Sequence, residues 1–190
     1  IIKAEKNLGI EKNYMQPGGE TEANYLTEIQ NLYDAGYKFI VTPGFKFETA
    51  IYKAQEQYKD AQFVIIDGEP NDGKDNYVVG DNTVAIYFAE EQSGFAAGVA
   101  AAVELQTGDF GFIGGMELPV IDTFKYGFMA GVKAANPDAK VQSQYANSFT
   151  DQAKGKSIAK QMQSSNADII IAAAGDSGTG TIEAAKKANK

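Results

Sequence analysis

The 190-residue chain has no cysteine, no histidine, no tryptophan and no arginine. Without Cys and His there is no thiolate or imidazole nucleophile, no zinc site of the usual kind and no His acid-base chemistry. Without Arg there is no bidentate clamp for carboxylate or phosphate. A small-molecule site must then use Asp/Glu, Asn/Gln, Ser/Thr, Lys, backbone groups and aromatic faces. That palette suits a neutral polar ligand such as a sugar or a nucleoside. No catalytic residue, metal ligand or cofactor is expected. Lack of cysteine is compatible with any redox compartment. Positive charge is also scarce: 17 Lys+Arg stand against 25 Asp+Glu, for a net charge of -8. Nucleic acid is therefore not an expected partner, because affinity there comes mainly from cations neutralising phosphates. An electrostatic membrane-surface role fits equally poorly.

There is no long apolar run, no signal peptide and no lipidation cysteine. The opening Ile1-Ile-Lys-Ala-Glu-Lys6 reads as the middle of a helix, and Ala184 to Lys190 as the end of one. The chain is accordingly expected to be a fragment of a longer protein, so a missing signal says nothing of its address. Hydrophobic residues make up 44% of it, enough to build a core.

Strand-like and helix-like segments alternate. Short apolar runs rich in β-branched and aromatic residues occupy 37–42, 62–67, 76–79, 84–88, 110–113, 140–145 and 168–173. Helix-length segments fall at 21–35, 49–58, 90–105, 121–136 and 152–165. In the first of these, Leu26, Ile29, Leu32 and Tyr33 recur near a three-four spacing. Such alternation predicts an α/β protein with parallel sheets and helices on both faces. The near-continuous apolar runs 39–41, 63–66 and 169–171 agree, because buried parallel strands lose the alternation of half-exposed ones. An Ala-rich helix ends near Gly108 and a new strand begins. The expected boundary is thus at Gln106 to Asp109, with one lobe at 1–106 and a second at 107–190.

Candidate binding residues cluster where strands give way to helices, since ligands of open α/β sheets sit beyond the carboxyl ends of strands. Gly44 and Phe45 follow the first strand, offering close backbone approach and a ring face, or simply a turn with local packing. Asp67 ends a strand and can accept ligand N–H or O–H groups, or cap the Gly68-Pro70 turn. Phe88 and Glu90 lie at the next transition. Glu90 and Glu91 complement a helix dipole. As a pair they also suggest glycoside hydrolysis, but adjacent helical residues point about 100° apart. Phe149 precedes a helix for which Thr150 or Asp151 is the cap, and is either a pocket wall or a hydrophobic staple. Gly175 and Asp176 open a glycine-rich strand-to-helix loop, Gly175 to Gly180, whose N–H groups can cradle oxygen atoms. It lacks Gly-Lys-Ser/Thr and the dinucleotide glycine spacing. No Gly-x-Ser-x-Gly nucleophile elbow is present.

The most informative stretch is FGFIGGMELPVIDTFKYGFMAG, from Phe110 to Gly131. A short strand stops at Gly114-Gly115, where missing Cβ atoms let other groups come close, and Met116 follows on the lip. This stretch, with the segment from Tyr145 to Asp151, Gly155-Lys156, the run 63–67, the run 88–94 and 172–175, resembles the basic membrane protein family. The order and spacing match over nearly the whole chain from about Tyr25. Members are bacterial lipoproteins that serve as substrate-binding subunits of nucleoside-importing ABC transporters.

The resemblance implies two doubly wound, parallel-sheet lobes of a type I periplasmic-binding-protein fold, incomplete here at both ends. It implies an extracytoplasmic protein that binds a purine nucleoside or similar ligand between the lobes without turnover. Its partners would be that ligand and ABC permease subunits, with membrane attachment only through a lipid anchor on the missing N-terminus. By the same resemblance, the Ser148-Phe149 region corresponds to the aromatic wall of the purine slot, and Asp67 to a ligand-facing position. A missing opening strand would carry a further Asp and Phe used on the ligand, and the missing later part another Asp. Family members usually show Ala-Gly-Gly-Thr-Gly near Gly175; Asp176 departs from this, and its carboxylate would either accept a ribose hydroxyl or clash with a ligand. Two other readings remain open at this point: an α/β enzyme acting on sugars or nucleosides, and a ligand sensor or regulator on the same fold.

Overall fold

The computed structural model describes residues 2–74, 76–105 and 108–188. It is α/β, and the chain divides into two compact units, Ile1–Phe88 and Ala89–Lys190.

The first unit contains helices α1 (Ile2–Leu8), α2 (Glu22–Asp34) and α3 (Glu48–Gln57), and strands β1 (Phe39–Pro43), β2 (Gln62–Ile66) and β3 (Thr83–Ile86). Thr21 starts α2 as an N-cap, its side chain accepting from the Asn24 N–H at 3.3 Å. The strands are parallel in the order β1-β2-β3. Ile40, Phe63 and Ile65 pack on Tyr25 and Ile29 of α2 and on Ala50, Ile51 and Ala54 of α3. Helices on both faces were expected; α2 and α3 both pack on the face that carries Ile40, Phe63 and Ile65. On the other, Phe39 is 68% and Val84 58% exposed. The strand order runs in one direction, and right-handed crossovers then keep helices on one side.

Residues 76–79, expected as a strand, form a loop in which Tyr77 makes an isolated antiparallel bridge to Asn71. Asp75 lies outside the described residues. The loop is strapped to α3 by buried Gln55, whose side-chain amide donates to the Val78 carbonyl at 2.9 Å and whose oxygen accepts from the Gly80 N–H at 3.0 Å. These side-chain bonds take backbone groups that a sheet ladder would have used.

The second unit contains α4 (Glu90–Glu104), β4 (Asp109–Gly114), α5 (Pro119–Ala135), β5 (Val141–Tyr145), α6 (Gln152–Ser164), β6 (Ala167–Ala173) and α7 (Asp176–Ala188). Its sheet is parallel in the order β5-β4-β6. The order reverses at β4, so the crossovers α5 and α6 lie on opposite faces. Phe110 and Phe112 pack with Ile121, Phe128 and Val132 on one side; Ile113 packs with Ala159, Met162 and Ala184 on the other. Helix α5 begins at Pro119, two residues earlier than expected, because proline fits the first helical turn.

Four glycines fix α4 on α5. A Cβ on Gly94 or Gly98 would come closer than 3.0 Å to backbone atoms of Phe124 and Phe128, and a Cβ on Gly127 or Gly131 likewise to Glu91 and Phe95. This backbone-to-backbone contact assigns α4 to the second unit. The chain therefore divides at Phe88/Ala89, one helix before the expected break; of that break, Gln106 and Thr107 lie outside the described residues. Gly155 of α6 and Gly180 of α7 make the same kind of contact, against backbone atoms of Ser177 and Gln152.

Replacing Gly98 by Ala should destabilise the second unit by about 1–3 kcal/mol, the usual range for overpacking a filled site. Replacing Val103, which is 63% exposed, by Ala should change stability by no more than about 0.5 kcal/mol. Urea unfolding of the two variants checks the contrast.

Candidate functional site

In the second unit the carboxyl ends of β4, β5 and β6 converge on the double glycine. The Gly115 N–H donates to the Ala173 carbonyl at 2.9 Å, and the Ala146 N–H to the Gly114 carbonyl at 2.8 Å. The loop after β5 continues this ladder, with the Ser148 N–H donating to the Gly115 carbonyl at 2.9 Å. Each glycine carries a ring. The Tyr145 ring occupies the place a Cβ on Gly114 would take, and the Phe149 ring the place a Cβ on Gly115 would take.

Phe149 is held by its backbone as well. Its carbonyl accepts from the Ser177 N–H at 3.3 Å, while the Ser177 hydroxyl donates to the Ser148 carbonyl at 2.8 Å. The Ser148 hydroxyl accepts from the Thr150 and Asp151 N–H groups, both at 3.1 Å. Asp151 caps α6, accepting from the Lys154 N–H at 3.0 Å. The half-buried Phe149 ring joins the apolar cluster of Phe110, Phe112 and Ile121, whereas Ala159 and Met162 of α6 belong to the other cluster.

Gly115, Phe149, Gly175 and Asp176 are thus brought together in this unit, with Met116 beside them and 42% exposed. Two expectations change. The space at Gly115 is filled by Phe149 instead of standing open to a ligand, and a Cβ on Gly175, whose φ is +53°, would meet the Phe149 carbonyl oxygen at 2.8 Å. The glycine-rich segment is a loop only at Gly175. Helix α7 starts at Asp176, so Gly178 and Gly180 are helical and serve packing, not an oxygen cradle. Asp176 lies in the first turn of α7, where its charge complements the helix dipole.

A cluster not singled out from the sequence lies next to these residues. Buried Lys125 donates from Nζ to Tyr145 Oη at 2.7 Å and to Asp122 Oδ1 at 2.9 Å. The Tyr145 hydroxyl in turn donates to Asp122. Burial works against the Lys125 charge, but the bonds to Tyr145 and Asp122 outweigh it and hold the ammonium above its ordinary pKa. Burial likewise pushes Asp122 up, and the Tyr145 hydroxyl and Lys125 ammonium more than reverse this, leaving its carboxyl below the ordinary range. The three residues tie the first turns of α5 to the end of β5. The Asp122–Lys125 spacing was a visible helical pair; nothing local signalled Tyr145.

In the first unit, Gly44 has φ +93° and donates its N–H to the Ile66 carbonyl at 2.6 Å, with nothing within 4 Å of where a Cβ would lie. That conformation favours glycine. Phe45 is half-buried and opens a short 3-10 turn. Asp67 is not the last strand residue; it sits just past β2 with φ +63°, its N–H donating to the Ile86 carbonyl at 2.8 Å. Glu48, missed in the sequence, accepts from the Glu69 N–H at 3.1 Å and from Asn71 Nδ2 at 2.7 Å. Burial raises its pKa, and the charges of Glu69 and Asp67 add to this. Phe88 ends the unit and is 59% exposed. Glu90 opens α4 in the second unit, with Glu91 in the same first turn. Among the described residues no group of three or more His, Cys, Asp or Glu is placed to hold a metal ion, and no helix is long and apolar enough to cross a membrane.

Two α/β units, each on a three-stranded parallel sheet, fit the periplasmic-binding-protein class of fold. A solute-binding protein of an ABC transporter system from Aeropyrum pernix superposes with TM-score 0.77 at 23% identity, over 99% of this chain and 52% of that one. A transcriptional activator of the comK gene from Bacillus halodurans does so with TM-score 0.75 at 24% identity, over 100% and 62%. These likenesses establish the fold alone. The sequence goes further: residues 1–190 match the Bmp family, described as ABC transporter substrate-binding protein PnrA-like, and the chain belongs to that family. It is 37% identical to the ABC transporter nucleoside-binding protein BmpA of Lactococcus lactis subsp. cremoris, over 97% of this chain and 51% of that protein. Basic membrane protein A of Borreliella burgdorferi is 39% identical over 88% and 49%. The CD4+ T-cell-stimulating antigen of Listeria monocytogenes is 38% identical over 94% and 47%. The chain spans about half the length of the curated relatives it matches.

Asp122 has a folded pKa below its unfolded value, near 3.9. Its stabilising contribution is therefore present above that value and lost as pH falls through the folded pKa. Urea unfolding should show wild type more stable than Asp122→Asn at pH 7, with the gap shrinking steadily below about pH 4.

Proposed function

We propose that this chain is part of an extracytoplasmic, lipid-anchored substrate-binding subunit of an ABC importer. It would bind a purine nucleoside or a similar neutral ligand without chemical turnover, and deliver it to permease subunits. The observation that carries this reading is the Phe149 ring, held by backbone bonds at the carboxyl ends of the second unit's strands. The name of the Lactococcus relative supports the ligand class. So does the residue palette: with no His, Cys or Arg in the chain, a neutral flat ligand with polar edges is the chemistry best served.

In this reading Phe149 stacks on the base. The second unit adds Met116 and Glu90 at the rim, and Asp176 as acceptor for a ribose hydroxyl. Gly115 and Gly175 shape the wall. On the first unit, taken by itself, the candidate contacts are Gly44, where backbone is open to approach, the Phe45 and Phe88 rings, and Asp67 as an acceptor. Each unit would be one lobe of the binding protein.

Stacking on an aromatic side chain is worth about 1–3 kcal/mol per base. Calorimetry on the full-length protein should therefore show inosine or guanosine binding weakened about tenfold or more by Phe149→Ala, with a smaller effect on melting temperature. Unchanged affinity with a large fall in melting temperature would make Phe149 a core residue only. Chromatography after prolonged incubation should recover the nucleoside intact. Free base and ribose would instead mark an enzyme.

A further inference from the structure

The double glycine at the end of β4 is more than a place where chain can turn. Around the position a Cβ on Gly115 would occupy, the three nearest atoms all belong to the Phe149 ring, and they come to 3.0 Å or closer. No backbone atom is among them. The Phe149 backbone is fixed from two sides by the bonds of Ser177 to the Phe149 and Ser148 carbonyls, and Ser148 is fixed by its bond to the Gly115 carbonyl. On the other flank, Gly175 lies with its Cβ position against the Phe149 carbonyl oxygen. If a methyl group were added at Gly115, the backbone on either side could not yield cheaply, so the ring would have to move.

We propose that Gly115 is a positioning residue for ligand recognition: by lacking a side chain it seats the Phe149 ring and so sets the plane on which a flat base stacks. This rests on the nucleoside reading above and deepens it. Gly115 would touch the aromatic wall and not the ligand. Its substitution should act through Phe149 and through nothing else.

The test is a double-mutant cycle on the full-length protein, with Gly115→Ala, Phe149→Ala and the pair, each titrated with inosine and guanosine by calorimetry and melted without ligand. Gly115→Ala should weaken binding about tenfold or more, as loss of a stacking platform does, and should add nothing further in the Phe149→Ala background. Melting should show the same pattern, because the shortened side chain vacates the disputed space. Independent, additive losses would overturn the inference. So would wild-type affinity in Gly115→Ala alongside weakened binding in Phe149→Ala, an outcome that leaves the nucleoside reading standing. Should Gly115→Ala fail to fold, the pair decides: a pair that folds like Phe149→Ala supports the seat, and a pair that also fails assigns Gly115 to the backbone packing of the sheet. A wild-type protein that binds no purine nucleoside overturns the reading and the inference together.

Discussion

Backbone against backbone, α4 and α5 meet through Gly94 and Gly98 on one helix and Gly127 and Gly131 on the other. Helix pairs usually keep 8–10 Å between axes because side chains intervene; here four positions have none. Such a contact fixes the rotation and the register of α5 together, since a turn of the helix in either direction would drive a side chain into a carbonyl. With α5 fixed, Phe128 and Val132 meet Phe110 and Phe112 of the sheet. Its first turns then carry Asp122 and Lys125 to Tyr145. The second face follows the same design, with Gly155 and Gly180 bringing α6 and α7 together. Phe149 sits at the carboxyl edge of the sheet on which these helices pack.

At that edge one structural device is used twice. Gly114 and Gly115 each accept an aromatic ring, Tyr145 on one and Phe149 on the other. The two rings have different polar surroundings. The Tyr145 hydroxyl is drawn into an ion pair with Asp122 and Lys125, so it is bound into the protein's own network. A buried ammonium is costly unless paired and hydrogen-bonded, and both conditions are met at Lys125. Phe149 has no polar side-chain atom to satisfy; Ser177 holds its backbone and its ring packs against the apolar cluster. Two neighbouring aromatics are thereby held differently: Tyr145 locks α5 to β5 through its hydroxyl, and Phe149 packs its ring against the apolar cluster.

Much of this was legible before any coordinates. The parallel α/β class followed from alternating apolar runs and helical spacing, and β2 (Gln62–Ile66), β4 (Asp109–Gly114) and β6 (Ala167–Ala173) fall within a residue of the expected runs 62–67, 110–113 and 168–173. The family showed in residues spread along the chain. What the pattern missed was non-local. Residues 76–79 have strand composition, yet Gln55 on a distant helix takes the Val78 carbonyl and the N–H of the next residue but one, Gly80. The glycines of α4 and α5 carry no local sign of their task, because only the partner helix reveals why a Cβ is forbidden. Lys125 and Tyr145 are twenty residues apart, and no local rule joins them.

The glycines of the site show how composition alone misleads about a ligand. Gly115 and Gly175 read as openings through which a ligand could approach backbone, and Gly178 and Gly180 as part of a loop that could cradle oxygen atoms. In the structure, Gly115 and Gly175 are closed by Phe149, and Gly178 and Gly180 are helical. Gly44 alone of the five nominated or neighbouring glycines has open space at its Cβ position, together with a backbone angle that other residues rarely adopt. The physical distinction is between a glycine needed because something of the protein's own is already there and one needed because the chain must turn. A missing side chain in the second unit thus shapes the wall from behind, whereas a missing side chain at Gly44 leaves the surface itself open.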